Sequence, residues 1–534
     1  LKINSTSNFV DDAMDLVSKV SANAHEKTIQ KIKEDGRPIE QIEKFLDTRI
    51  KNDPILVRQI LRVCFSAYTN NPINLGVLAP TSEGKTYATV QVTNLFPTKD
   101  MITVARLSPT ALIHQNGVLI DENGDEIGER SEKLFFDIMK ARKGKDKELS
   151  RELEAEYQEL KANAKNMVDL THKILLFLDN PNPATYEMLK PLLSHDKHEL
   201  LYKTTTGDGS LRVKETILRG WPAAIVCSAK NEAKNEVWPE IQSRFFITSP
   251  NTDVKKYKAA NKLTADIMGV PTWAAHIHTN SKDREYSKFF VAKLKEYIIT
   301  LCQDDNNPIY NPYRQKIVEL LPNTQGIDMR HFARINAFCN IETILHAKEN
   351  MKIEFITNQG IRHVSVITSL ENIDKSTEFL GVISTLAPDK VNFFQKVVKE
   401  LLMENLDSYG NVKLQVKLTS RQLADKYAEK FDKPTTPKKI VENYLEPLVD
   451  EGMLESEPNP DNKKQNFYSL GADLTIHNLS DLKSTIIESI DNHPLFIWLG
   501  IAKLGRLSRQ NGKLTKIFDK DGTLNFIDFN KKIL

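Results

Sequence analysis

Leu75-Gly76-Val77-Leu78-Ala79-Pro80-Thr81-Ser82-Glu83-Gly84-Lys85-Thr86 is the stretch from which the rest of the chain can be read. The apolar run Ile73, Leu75, Val77 and Leu78 predicts a buried strand, and helix-compatible residues follow Thr86. Strand, loop and helix in that order form the Walker A phosphate-binding pattern, with Ala79 where the first glycine usually sits. Successive N–H groups around Ser82 to Lys85 would make an anion nest, and a helix starting near Lys85 points its positive end at the same place. Lys85 is expected to reach the β- and γ-phosphates of ATP and the Thr86 hydroxyl to hold Mg²⁺.

The other parts must be placed around that loop. At 534 residues the chain exceeds a single core, so about three domains are expected. Hydrophobic and charged contents of 40% and 27% describe an ordinary globular protein. No apolar run is long enough to span a bilayer, and the first residues carry no charged, apolar and small-residue leader pattern. Cys64, Cys227, Cys302 and Cys339 are far apart with no Cys-x-x-Cys pair, which reads as buried thiols in a reducing compartment. A cytoplasmic, nucleoid-associated protein with no membrane partner is expected. The net charge of +2 excludes a global field for nucleic acid, so binding of that kind must come from local patches.

Residues 1–52 read as a helical N-terminal cap, and 53–255 as an α/β core with a parallel sheet. Within that core, about 126–170 is dense in Lys, Glu and Arg and reads as an inserted helical arm, with a solvated charged helix as the plain alternative. Lys173 to Asp179 is an apolar run ending in aspartate, the Walker B pattern, which places Asp179 on Mg²⁺. Asn180 then stands where a catalytic glutamate is usual, and an amide cannot take a proton from water. Glu187 or Asp196 are the candidate substitutes. Residues 199–219 read as a hairpin about a Gly-rich turn, with Arg212 and Lys214 on one face and Lys203 across from them. The next strand, Pro222 to Ser228, leads to polar residues, Ser228 and Asn231 among them, suited to sensing a γ-phosphate. Arg244 precedes a further strand, and its planar fork suits a neighbour's phosphate.

A helical lid is expected over 256–385, with Arg330 or Arg334 able to reach the nucleotide. Over 386–472 the pattern is helix, strand, capped helix, third helix and a two-stranded wing, a winged helix-turn-helix. Lys438 and Lys439 on the third helix, with Lys463 and Lys464 in the wing, could meet DNA phosphates. A protein-contact role is the other use of such a unit. Residues 473–534 form a basic tail that could bind nucleic acid or dock on the lid.

The order of these parts resembles an AAA+ ATPase of the replicative-helicase clade, of the MCM-like and superfamily III type carried by archaeal and viral mobile elements. The residues that carry the resemblance are Ala79 to Thr86, Leu175 to Asp179, the 199–219 hairpin, Ser228 to Asn231, and Ser243-Arg244-Phe245. It implies a P-loop AAA+ domain followed by a winged helix, and a ring, a hexamer by expectation, with ATP between subunits. Arg244 would then act in trans, Arg330 would be the second sensor, and the hairpin would grip single-stranded or forked DNA. Primase or other replication proteins are the further partners implied. The expected function is an ATP-dependent DNA helicase or translocase. An initiator or loader switched by ATP binding is one alternative, and a DNA-binding regulator with a degenerate ATPase is the other.

Overall fold

The computed structural model describes residues 38–104, 117–179 (without 122 and 145), 181, 183–205, 213–228, 244–271, 281–303, 308–320, 326–380, 388–401 (without 399), 417–450, 454–460, 465–470, 497, 500–504, 512–519 and 522–525. Two helices, α1 (Pro38–Arg49) and α2 (Pro54–Ser66), lead into β1 (Leu75–Leu78). The chain continues through α3 (Lys85–Thr93), β2 (Met101–Val104) and β3 (Val118–Ile120) to the helical arm, α4 (Gly128–Lys143) and α5 (Lys147–Asn163). Next come β4 (Lys165–Asp169), β5 (Ile174–Phe177), α6 (Pro183–Leu193), β6 (Glu199–Thr205), β7 (Val213–Arg219), β8 (Ala223–Ser228) and β9 (Phe246–Thr248).

The protein is a mixed α/β structure around a five-stranded parallel sheet ordered β2-β5-β8-β1-β9. These strands are short apolar runs because both faces are covered. Side chains alternate between two cores along each strand: Ile174 and Leu176 face one, Leu175 and Phe177 the other. Helices α1 to α3 cover the first face, and α6 covers the second through Tyr186, Leu189 and Leu192. Gly76 in β1 lets the Ile247 side chain of β9 pack close, since a Cβ there would stand 2.8 Å from its terminal methyl, which would have to shift.

A second sheet, ordered β3-β4-β7-β6, carries both the helical arm and the hairpin. The arm springs from β3 and returns into β4, which pairs with β7 of the hairpin, so arm and hairpin share one backbone frame. Opposite charges join its two helices, as in Arg142–Glu154 at 3.0 Å and Arg130–Glu156 at 2.8 Å.

The segment expected to be an independent helical lid differs in two ways. Its helices α7 (Val254–Met268), α8 (Ser281–Gln303), α9 (Arg314–Leu320), α10 (Gly326–Leu345) and α11 (Leu370–Leu380) are interrupted by β10 (Ile309–Tyr310), β11 (Lys352–Thr357) and β12 (Arg362–Ile367). It also shares the first core: Val291, Ile298 and Phe338 pack in one cluster with Leu75 and Ile174. Phe246 meets Phe338 edge-on at 5.1 Å. The expected boundary at 255/256 therefore cuts through a continuous apolar core.

The C-terminal unit has its own core around Phe393, Leu423, Ile440, Leu448 and Leu454. It comprises α12 (Pro388–Phe393), continued by wider turns to Val398, then β13 (Leu418–Thr419), α13 (Ser420–Phe431) and a third helix that opens as α14 (Pro437–Ile440) and runs to Asp450. The hairpin β14 (Leu454–Pro458) and β15 (Asn466–Leu470) closes it, with β13 on the other side of β15. Thr419 caps α13 in a full capping box with Gln422, as its sequence predicts. Thr419→Ala should cost about 1 kcal/mol of local stability, seen as faster amide exchange in the first turn of α13.

The tail does dock on the neighbouring layer. β16 (Gly512–Asp519) pairs antiparallel with β11 and with β17 (Gly522–Asn525), completing a sheet ordered β10-β12-β11-β16-β17. Residues 388–470 are thus an insertion, with chain running into the same layer on both sides. All four cysteines are buried as separate thiols. Among the described residues no helix is long and apolar enough to cross a membrane.

Candidate active site

The loop between β1 and α3 is bent by two left-handed residues, Ser82 (φ +72°) and Gly84 (φ +83°). A positive φ is expected of Gly84 and unusual for Ser82; alternating left- and right-handed residues curl a backbone so that consecutive N–H groups converge on an anion. Gly84 caps α3, whose first residues are Lys85 and Thr86. The Lys85 ammonium donates to the carbonyls of Ala79 at 3.2 Å and Pro80 at 3.3 Å, which pins it over the loop with a third donor to spare. Ala79 N–H donates to the Ser228 carbonyl at 3.2 Å, tying the loop to β8.

Strand register brings Asp179 to the same edge. Leu78 is level with Ser228, and Phe177 with Val226, so Asp179 lies level with the start of the loop. Only β8 stands between, which sets Asp179 about 10 Å away across two strand spacings. Asp179 is exposed and Ser228 fully buried. A hydroxyl and a carboxylate are hard oxygen donors that suit Mg²⁺, which would take its other oxygens from phosphate and water. Among the described residues no three His, Cys, Asp or Glu side chains form a metal cluster.

Of the two possible substitute bases, Glu187 lies in the first half of α6 and pairs with Lys190 at 3.5 Å. Asp196 lies beyond the far end of that helix, at the amino edge of the sheet, so it cannot serve this loop. It lines a cavity of about 280 Å³ with His195, Asn74, Arg244 and Arg334. Arg244 donates to the Ser194 hydroxyl. His195 stacks on Trp221 at 4.8 Å; burial lowers its pKa to about 4, against the pull of Asp196, and keeps the ring neutral. Arg334 therefore joins Arg244 at this edge. The Arg330 side chain lies outside the described residues.

The hairpin corrects one expectation. Lys203 is registered opposite Glu215 and pairs with it at 3.1 Å, whereas Lys214 is registered opposite Thr204. Lys203 and Lys214 are thus not cross-strand neighbours, because directly opposed residues share a face and the next pair takes the other. Lys165 joins Glu215 at 3.4 Å, so a carboxylate offsets part of this cationic group. Lys438 and Lys439 are exposed at the start of the third helix, with Lys438 at 3.7 Å from Glu442. Asn180, Arg212, Asn231, Lys463, Lys464 and the Lys214 side chain lie outside the described residues.

The surroundings of Glu83 carry no local sequence signal. The Tyr257 hydroxyl donates to its carboxylate, Lys256 donates to its carbonyl at 3.3 Å and to buried Asp53 at 2.6 Å, and Lys433 stands 3.7 Å from its other oxygen. Lys433 also sits 5.6 Å over the Tyr257 ring. No protein-family model matches the chain, and no curated protein is significantly similar to its sequence.

Proposed function

We propose that the chain is an ATP-dependent DNA helicase or translocase of the replicative AAA+ type, built on a P-loop core and bearing a winged helix-turn-helix at 388–470. The observation that carries this reading is the division of charged groups between the two edges of one parallel sheet. Lys85, Thr86 and Asp179 share the carboxyl edge, where open parallel sheets bind ligands. Arg244 and Arg334 share the amino edge. In a ring with head-to-tail interfaces the two edges of adjacent copies complete one site.

Lys85 and the loop N–H groups hold the β- and γ-phosphates, and Thr86 and Asp179 hold Mg²⁺. Mg²⁺ held by these two residues would supply positive charge to offset that of the phosphates. Arg244 from the neighbour stabilises the same charge. Lys203, Arg212 and Lys214 of the hairpin act on DNA phosphates, and movement of their sheet carries the helical arm with it.

ATP turnover by the full chain, with and without single-stranded DNA, tests the reading. DNA-stimulated turnover in a ring-sized species, lost in Lys85→Ala and accompanied by strand displacement, is expected. An initiator or loader is favoured instead by Asn180, which cannot act as a base. ATP binding without turnover or strand displacement would select that second reading.

A further inference from the structure

We infer that Lys433, from the C-terminal unit, belongs to the nucleotide site of its own chain, where it neutralises Glu83 and couples nucleotide binding to docking of that unit. The inference rests on the nucleotide-binding reading of the Lys85 loop. Glu83 directly precedes Gly84, so a carboxylate is built into a loop read as binding polyanions. Such a charge opposes phosphate unless a cation offsets it.

Two groups hold that carboxylate, one from each side. The Tyr257 hydroxyl binds one oxygen, and Lys433 lies at 3.7 Å from the other while packing over the Tyr257 ring. The mount for Tyr257 is firm: its neighbour Lys256 is almost fully buried, bonded both to Asp53 and to the loop carbonyl of Glu83. Asn251 N–H also donates to Asp53, at 3.1 Å, fixing the start of α7. The Glu83 side chain is only 13% exposed, whereas Lys433 is 44% exposed. A hydroxyl donates to a carboxylate without cancelling its charge, so the cation is the part that matters for an incoming phosphate. Lys433 lies between α13 and α14, and its position follows from how residues 388–470 dock. Nucleotide and docked unit therefore favour one another, and by linkage the effect is reciprocal.

The test is calorimetric titration of the full chain with Mg²⁺–ADP. Lys433→Ala should weaken binding roughly three- to tenfold, in the usual range for coupled sites. Glu83→Gln should bind at least as tightly as wild type, and Glu83→Gln/Lys433→Ala should return to about twofold of wild type, because no charge is left to offset. ADP should also slow amide exchange over residues 420–440 in wild type and not in Lys433→Ala. Tighter or unchanged binding by Lys433→Ala overturns the inference, as does a double variant as weak as the single one. Binding retained in Lys85→Ala removes the nucleotide reading itself, and the inference with it. Binding lost in Lys85→Ala but unaltered in Lys433→Ala removes the inference alone.

Discussion

Arg62→Ala is expected to destabilise the protein by about 3–5 kcal/mol, since it strands the fully buried Glu342 carboxylate without its arginine counter-ion. Arg62 is 2% exposed and bridges three helices. It donates to Glu342 at 2.8 and 3.1 Å and also to Glu43, while His346 adds a hydrogen bond to Glu342 at 2.9 Å. A loss of that size is a large part of the roughly 5–15 kcal/mol that holds a typical domain folded. The thermal midpoint should therefore fall steeply, whereas Arg62→Met combined with Glu342→Leu should recover much of the loss. Burial alone would raise the Glu342 pKa; Arg62 and His346 outweigh it and lower the value to about 2. The stabilisation is thus complete above the unfolded value near 4.5 and disappears as pH falls from there towards 2. A single variant that unfolds like wild type at neutral pH would show that the network is not needed.

Arg244→Ala should lower ATP turnover by about 10³-fold while leaving ADP affinity within a few-fold of wild type. The reason is register. Phe246 is level with Leu75, so Arg244 is level with Ile73, six residues before the loop begins at Ala79. At about 3.3 Å per residue that is some 20 Å, beyond the reach of an arginine side chain. Under the proposed reading the residue would therefore serve the site of another copy. Mixing equal amounts of Arg244→Ala and Lys85→Ala chains should therefore restore turnover at about a quarter of the interfaces of a randomly assembled ring. No recovery in mixed assemblies, with both parents folded and assembled, would rule out action in trans.

Much of the parallel sheet is legible in the chain because buried parallel strands read as unbroken apolar runs. Leu75–Leu78, Ile174–Phe177 and Ala223–Ser228 all announce themselves in this way. The loop is equally plain, since Gly84 supplies the left-handed turn and Lys85 the cation. Strands β11 and β12 are hidden for the opposite reason. Their cover is partial and their alternation weak, and β11 is finished by β16, far along the chain. The Lys203 error has a different origin: alternation gives faces within a strand, whereas the partner across a hairpin depends on the turn length. Nothing local could reveal Tyr257 or Lys433 beside Glu83, because those pairs exist only once separate layers have packed.

The pairing of β16 with β11 also sets an order of events during synthesis. When β11 leaves the ribosome, the strand that will lie on one side of it is still roughly 150 residues from being made. Until then that edge offers unpaired N–H and C=O groups to any passing strand. The intervening unit, with its own apolar centre, can fold before β16 is made. Early folding of 388–470 would thus shorten the flexible chain between β11 and β16 and so lower the entropy cost of their late pairing.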